Sequence, residues 1–152
     1  MNICLGGTFS PLHRGHRLLL YTAMANLGDG TLYVGLTSDE FAMKGRPGEE
    51  LLEYKKRKDA MVAFLHQAGC QRYRIVEIDS TSGIADHAAY LDGIAVSRET
   101  YPQALRLNEA RRRKGLKGLS IFTVNLVKNG QGHEIRARCI RCGEMDQEGR
   151  EP

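Results

Sequence analysis

Apolar residues along this chain follow two spacings, one typical of buried strands and the other typical of helices. Short apolar runs bounded by glycine or polar residues predict five strands, "MNICL", "TLYVGLT", "YRIVEI", "GIAVS" and "LSIFTVNLV". Between these runs, apolar side chains recur every three or four residues over segments 13–27, 53–69 and 100–115, and a glycine marks the end of each. Thr100 and Gln103 have the spacing of a capping box at the start of the third segment. A last helix is predicted from about residue 135.

The order of these elements predicts the fold class. Strands alternate with helices, and the strands are mostly apolar without a polar face, which is typical of a parallel sheet covered on both sides. We therefore predict an α/β fold in which a single Rossmann-like, doubly wound parallel sheet of five strands has helices on both faces. One domain is expected to span residues 1–152, with a C-terminal helix and a short polar tail from about residue 135. Ligands of such sheets bind at the carboxyl ends of the strands, so segments 6–16, 37–44 and 97–100 are expected to converge on one rim.

Composition narrows the possible functions. The 152 residues are 41% hydrophobic and 26% charged, with a net charge of +4, as in globular proteins. The basic residues cluster at 111–117 and at Arg136, Arg138 and Arg141, which suits a polyanionic ligand or a solvated helix end. Aromatic residues are only 7% of the chain, so the stacking platforms of an RNA-binding surface are lacking and nucleic acid is an improbable partner. No apolar run approaches the ~20 residues of a membrane span and no secretory signal pattern is present, so a cytoplasmic location without membrane contact is expected.

Cysteine usage gives no support to a metal or disulfide framework. Cys139 and Cys142 form a C-x-x-C pair, but no second pair of cysteines or histidines completes a set of four zinc ligands. Coincidence within a helix explains the pair more simply. We expect no metal site built from the side chains of the chain itself.

The stretch "GGTFSPLHRGH", residues 6–16, carries the candidate chemistry. Gly6 and Gly7 let the backbone pass close to a ligand, and free N–H groups there and at the N-terminus of the next helix favour an anion. His13 and His16 are three residues apart, so both are expected to project toward the rim. A histidine can donate a hydrogen bond to a phosphate and stabilise charge as phosphorus becomes five-coordinate. A helix-capping turn would explain the glycines and the proline but would not need two histidines, and the stretch is neither a P-loop nor a G-x-G-x-x-G motif.

This stretch resembles the (T/H)xGH signature of the nucleotidyltransferase superfamily. Within the superfamily, "VGLTSDEFAMK", "IAVSRETYPQALRLNEARRRKG" and "GEMDQEGR" resemble the archaeal-type phosphopantetheine adenylyltransferases, and the similarity runs from about Ile3 to Arg150. The resemblance implies an adenylyltransferase that transfers AMP from ATP to 4′-phosphopantetheine, giving dephospho-coenzyme A and pyrophosphate, with Mg²⁺ accompanying ATP. Its oligomeric state does not follow from the sequence.

The resemblance also implies roles for individual residues. Thr8, His16 and Lys44 would be catalytic: Thr8 would contact the acceptor and α-phosphates, His16 the transition state, and Lys44 the phosphate in flight. Lys44 is also open to interpretation as a solvated surface lysine. The nucleotide would be bound by a larger set, Gly6, Gly7, His13, Ser97, Glu99, Thr100, Arg136 and Arg138. The acceptor would be bound by Thr8, Phe9, Ser10 and Lys44. Asn108 and Arg111 match the helix that follows, although Arg111 is equally consistent with a solvated basic run.

Two departures from the family pattern define the open questions. Ser10 replaces the usual aspartate and is expected to make a local bond that shapes the turn. The family's ISSTR segment is replaced by "IRARC" from Ile135, so the usual hydroxyls for the β- and γ-phosphates are lost. Arg136 and Arg138 offer new cations, although residues two apart on a helix diverge, so only one is expected to face the site. Two alternatives therefore stay open: a family member that binds nucleotide or coenzyme A without turnover, and an adenylyltransferase for another phosphorylated acceptor such as nicotinamide mononucleotide.

Overall fold

The computed structural model describes residues 1–152 and contains a single sheet of five parallel strands. The strands are β1 (Ile3–Gly7), β2 (Leu32–Thr37), β3 (Tyr73–Ile78), β4 (Gly93–Ser97) and β5 (Ser120–Val124), in the spatial order β3-β2-β1-β4-β5. The strand order reverses between β1 and β4, which pair with each other in parallel. This confirms the predicted doubly wound sheet and places the switch point, where ligands of such folds bind, at the end of β1.

Five helices accompany the sheet: α1 (Arg14–Ala25), α2 (Asp39–Met43), α3 (Tyr54–Gln67), α4 (Tyr101–Arg113) and α5 (Ala137–Arg141). No helix lies between β3 and β4, and α5 follows the last strand. α2 was not predicted, because five residues are too few to show a helical period. Its N-cap is Ser38, whose Oγ accepts a hydrogen bond from the Phe41 N–H at 3.1 Å. None of the helices has the length and apolar character that crossing a membrane requires.

Alternate residues of the strands fill two cores, one on each face of the sheet. Ile3 and Leu5 of β1 lie in the larger core with the apolar stripes of α1 and α3, whereas Cys4 between them lies in the smaller core. The smaller core is closed by residues of the 79–92 connection, such as Leu91, and by α4. Both faces of the sheet are therefore covered, as predicted from the apolar character of the strands.

The expectation about the start of α4 is wrong. Thr100 occupies the N-cap but has helical backbone angles and makes no side-chain cap bond; its hydroxyl lies 3.2 Å from the Ser97 hydroxyl instead. The predicted capping box therefore does not form, because that motif needs an extended N-cap residue.

Arg111 is neither solvated nor part of a ligand site. The residue is fully buried, and its guanidinium donates to three backbone carbonyls, those of Lys117 at 2.9 Å, Ala85 at 2.6 Å and Ala88 at 3.0 Å. Asn108 makes a similar pair of bonds with the backbone of Leu119, at 2.9 and 2.7 Å. Both side chains therefore tie α4 to the neighbouring loops.

Candidate functional site

A cavity of about 1600 Å³ lies at the carboxyl ends of the strands, beside the point where the strand order reverses. The segments that follow β1, β2 and β4 converge on it, as expected for a parallel sheet. All the site residues that the sequence predicted line this cavity: Gly6, Gly7, Thr8, Phe9, Ser10, His13, His16, Lys44, Ser97, Glu99, Thr100, Arg136 and Arg138.

The loop between β1 and α1 brings unpaired backbone donors to the cavity. Phe9 has a positive φ of 52° and its ring lies against Gly7, where an added Cβ would come within 3.0 Å of the ring. A side chain at position 7 would therefore have to displace the Phe9 ring by a few tenths of an ångström. The backbone N–H groups of Thr8, Phe9 and Ser10 donate no hydrogen bond within the chain. These three donors are left without a partner in a loop that lines the cavity, as in the backbone sites that bind anions.

His13 and His16 form a stacked pair at the start of α1. Their ring centroids are 3.6 Å apart with an interplanar angle of 22°. His13 is the N-cap, and its Nδ1 accepts hydrogen bonds from the N–H groups of Gly15 at 3.0 Å and His16 at 3.4 Å. In return, Nδ1 of His16 accepts from the His13 N–H at 3.3 Å. The two histidines thus take the places of the serine and glutamate in a capping box.

The capping arrangement determines which ring nitrogen carries the proton. Because Nδ1 of each ring accepts a backbone N–H, the proton of each neutral imidazole must be on Nε2. Burial lowers the pKa of His13 to about 4, with the nearby Arg17 charge adding to the effect. Burial also lowers the pKa of His16 to about 3, with His13 as the second cause. Near neutral pH, both rings are therefore uncharged and have one N–H left to donate.

One expectation about this helix is corrected: the first-turn N–H groups of α1 are not free for an anion. The Arg14 N–H donates to the Gln147 carbonyl at 3.1 Å, and the next two N–H groups donate to His13. Any phosphate at this end of the cavity must therefore be held by the histidine rings and by the loop before them.

Lys44 lines the cavity at the C-cap of α2. It is exposed and makes no ion pair. In the loop that follows Lys44, Glu49 accepts from Arg141 at 3.1 Å and lies 3.7 Å from Arg138. The segment carrying Lys44 is therefore connected to α5 through this carboxylate, and Lys44 itself is free to approach an anion.

The rim near α5 holds the arginines that replace the usual hydroxyls. Both Arg136 and Arg138 line the cavity, so the expectation that only one would face it is wrong. The reason is that Arg136 is the N-cap, with an extended backbone (φ −129°, ψ 140°), so the angular spacing of helical residues does not apply to this pair. Arg138 has 78% of its side chain exposed.

Two carboxylates bind Arg136. Its guanidinium donates to both oxygens of Glu99, at 3.1 and 2.7 Å, and to Glu134. These bonds lower the pKa of Glu99 and raise that of Arg136. The nucleotide ligands predicted at Glu99 and Arg136 are thus paired with each other, and a bound nucleotide must compete with this pair.

Ser10 forms a long-range contact and not the local turn bond expected from the sequence. Its hydroxyl accepts from the Leu52 N–H at 2.8 Å, and its carbonyl accepts from Arg141 at 2.6 Å. Only 1% of the residue is exposed. Ser10 therefore fastens the β1–α1 loop to the segments on either side of it.

Two residues that support the site were missed. Arg57 of α3 is fully buried and donates to the carbonyls of Thr8, at 3.1 Å, and Thr37, at 2.8 Å. The Thr37 hydroxyl in turn donates to the Thr8 hydroxyl at 2.9 Å. The position of Arg57 on the apolar stripe of its helix was the signal that could have found it, since an arginine on a buried face needs polar partners. Asp39 is one of them, 2.8 Å from the guanidinium.

Comparisons with known proteins agree with this architecture. The model of the cytidylyltransferase-like family matches residues 4–142. The chain is 40% identical over 148 residues to the phosphopantetheine adenylyltransferase of Thermococcus kodakarensis, covering 97% of this chain and 88% of the relative. It is 42% identical over 144 residues to the phosphopantetheine adenylyltransferase of Thermococcus gammatolerans, covering 95% and 89%.

A solved structure shows the same fold. It is a protein of unknown function from Archaeoglobus fulgidus, 30% identical, with a TM-score of 0.69 over 81% of this chain and 97% of that one. With the family match over nearly the whole length and the switch-point cavity, these similarities lead to one conclusion: the chain belongs to the cytidylyltransferase-like family, together with the archaeal phosphopantetheine adenylyltransferases.

Proposed function

We propose that this chain transfers AMP from ATP to 4′-phosphopantetheine, forming dephospho-coenzyme A and releasing pyrophosphate, in the cytoplasm. The observation that carries the proposal is the stacked, uncharged pair His13–His16 next to Thr8 and the three free N–H groups of its loop. The names of the archaeal relatives supply the substrates. This arrangement of N–H donors suits a reaction in which negative charge builds up on phosphate oxygens.

The reaction needs positioning more than proton transfer. An oxygen of the acceptor's phosphate attacks the α-phosphorus of ATP, and the bond from that phosphorus to the bridging oxygen of the β-phosphate breaks. The attacking phosphate is already an anion, so no general base has to remove a proton. His16, through its Nε2–H, would donate to an α-phosphate oxygen as the phosphorus becomes five-coordinate. A neutral donor adds no net charge, so neutralisation falls to Lys44 and the arginines of the rim.

For the β- and γ-phosphates, the two arginines of the rim differ in availability. Arg138 is largely exposed and has one long contact, 3.7 Å, with Glu49. Arg136 is held by Glu99 and Glu134. We therefore assign Arg138 to the first contact with the departing pyrophosphate, and Arg136 to a contact that forms when Glu99 turns to the nucleotide.

Magnesium with ATP stays part of the proposal, as the family predicts. No three histidine, cysteine or acidic side chains are grouped so that they could hold a metal ion. The residues present therefore do not form a metal site of their own, although Mg²⁺ bound to nucleotide phosphates keeps several waters and needs few protein ligands. None of the contacts assigned to this chain involves the metal.

A pyrophosphate-release assay with ATP and 4′-phosphopantetheine tests the proposal. The wild type should release pyrophosphate, while His16→Ala and Lys44→Ala should lose roughly a hundredfold or more in kcat, the order seen when an oxyanion donor is removed. Lys55→Ala, at an exposed lysine of α3 outside the cavity, should match the wild type. An inactive wild type, or an unimpaired His16→Ala, contradicts the mechanism.

Three further arms separate the alternatives. Nicotinamide mononucleotide in place of 4′-phosphopantetheine tests the other acceptor, with product identity as the readout. ATP binding by calorimetry without pyrophosphate release under either acceptor would favour a family member without turnover. Arg138→Ala should raise the KM for ATP and leave that for the acceptor unchanged, while Arg113→Ala, 78% exposed and outside the cavity, should change neither.

A further inference from the structure

Beneath Thr8 lies a short chain of hydrogen bonds that begins at a buried cation. Nη1 of Arg57 donates to the Thr37 hydroxyl at 3.2 Å and to the Thr37 carbonyl at 2.8 Å. The Thr37 hydroxyl is 2.9 Å from the Thr8 hydroxyl. Thr8 lines the cavity, whereas Arg57 is fully buried behind it. The three side chains therefore connect the interior of the protein to the reacting end of the cavity.

The chemistry of the three groups gives this chain a direction. A guanidinium has only donors, so the Thr37 hydroxyl cannot point its hydrogen at Arg57. The Thr8 hydroxyl is the one partner that the Thr37 hydroxyl has apart from Arg57, so Thr37 donates to Thr8. The Thr8 hydroxyl then accepts from Thr37 and cannot direct its own hydrogen back. Its hydrogen is left for whatever occupies the cavity.

We propose that Thr37 is a positioning residue which, backed by Arg57, presents the Thr8 hydroxyl to the cavity as a hydrogen-bond donor. The inference rests on the proposed function, in which Thr8 contacts the acceptor's phosphate. A fixed donor favours an acceptor whose reacting oxygen has lone pairs and no proton, as in a phosphate monoester, over an alcohol. The Thr8 donor costs no reorientation when the phosphate binds, since its partners are in place beforehand.

We call the chain of hydrogen bonds from Arg57 through Thr37 to Thr8 the relay. Arg57 is unsuitable for testing it because the same side chain also holds several segments together. The same guanidinium donates to the Leu52 carbonyl at 2.7 Å, to the Thr8 carbonyl at 3.1 Å and to Asp39 at 2.8 Å. Replacing it would disturb three segments at once. Thr37 is 6% exposed and its side-chain oxygen contacts only Arg57 and Thr8, so Thr37→Val cuts the relay with nearly the same volume.

A double-mutant cycle between Thr37→Val and Thr8→Val tests the relay. Thr37→Val should lower kcat/KM for 4′-phosphopantetheine roughly tenfold, as for the weakening of one hydrogen bond to a charged oxygen. In the Thr8→Val background, the same change should alter kcat/KM less than about twofold, since the two residues act as one unit. Thr37→Ser, which keeps the hydroxyl, should restore most of the wild-type rate. Additive effects, or a Thr37→Ser variant as poor as Thr37→Val at equal thermal stability, would overturn the inference.

A binding arm makes the test independent of turnover. Calorimetry should show that Thr37→Val weakens the binding of 4′-phosphopantetheine severalfold and leaves the binding of pantetheine, which lacks the phosphate, unchanged. Equal losses for both compounds, or no loss for either, would overturn the relay. If Thr37→Val weakens the binding of 4′-phosphopantetheine but not that of pantetheine, and the wild type releases no pyrophosphate, the proposed function fails while the relay stands. If the wild type is active and Thr37→Val equals it, the function stands and the relay fails.

Discussion

Replacing Arg111 should cost far more stability than its place in a basic run indicates. Its guanidinium donates to the carbonyls of Lys117, Ala85 and Ala88, and no carboxylate pairs with it. Hydrogen bonds from a charged group contribute about 1.5–3 kcal/mol each, so three give a gross stabilisation of roughly 5–9 kcal/mol. Replacing the guanidinium with an apolar side chain also removes the cost of burying a charge, which is several kcal/mol. For Arg111→Met, we therefore expect a net loss of about 3–5 kcal/mol, because three carbonyls are left without their donor.

Urea denaturation followed by circular dichroism measures this loss. At about 2–4 °C per kcal/mol for a chain of this size, the melting temperature should fall by roughly 10 °C. The control is Arg113→Met, two residues along the same helix with 78% of its side chain exposed, which should change the free energy of unfolding by less than about 0.5 kcal/mol. A loss under about 1 kcal/mol for Arg111→Met would refute the reasoning, because the three carbonyls would then find other partners at little cost. If Arg111→Met kept its stability but lost ATP binding, Arg111 would instead be a ligand of the nucleotide.

Three further predictions concern the histidine pair. Nitrogen-detected NMR should show His13 and His16 protonated at Nε2 only. Neither ring should take up a proton between pH 8 and 5, because their pKa values are lowered to about 4 and about 3. A titration near the ordinary value of 6.5 would contradict the capping geometry. Since the unfolded chain binds these two protons below about pH 6.5 and the folded chain does not, the free energy of unfolding should decrease from pH 7 to pH 4, and less so in His16→Gln. Gly15→Ala would place a Cβ 3.0 Å from the His13 ring and should lower kcat at least tenfold. Gly130→Ala, with open space around it, should have no effect on kcat. Equal activity of the two variants would show that the ring tolerates the displacement.

The sequence predicted the frame of the site well because that frame depends on local pattern. Apolar runs and helical spacing record which faces are buried, and a parallel sheet places the end of every strand at one edge. Thr8, Lys44 and Ser97 could therefore be assigned to one cavity without knowing their distances. Gly15 and the histidines on either side of it are close in the chain, so their proximity was predictable, although His13 is the extended N-cap of α1 and the stacking of the two rings depends on the capping bonds.

The partners of the polar side chains could not be predicted in the same way. Ser10 bonds to Leu52, 42 residues away, and Arg136 bonds to Glu99, 37 residues away. Such pairs depend on how loops from different strands pack, which no local period encodes. The same holds for the N–H groups at the start of α1, which are used by His13 and Gln147.

The sequence by itself thus determined the order along the chain of the five strands and of the longer helices, the rim on which the chemistry lies, and the residue types that can handle a phosphate. Only the tertiary structure decided the states of those residues: which nitrogen of His16 carries the proton, that Arg136 is already paired, and that Arg57 and Thr37 stand behind Thr8. The physical reason is that secondary structure follows the periodic burial of neighbours along the chain, whereas burial of a charge and the direction of a hydrogen bond depend on groups brought together from distant segments.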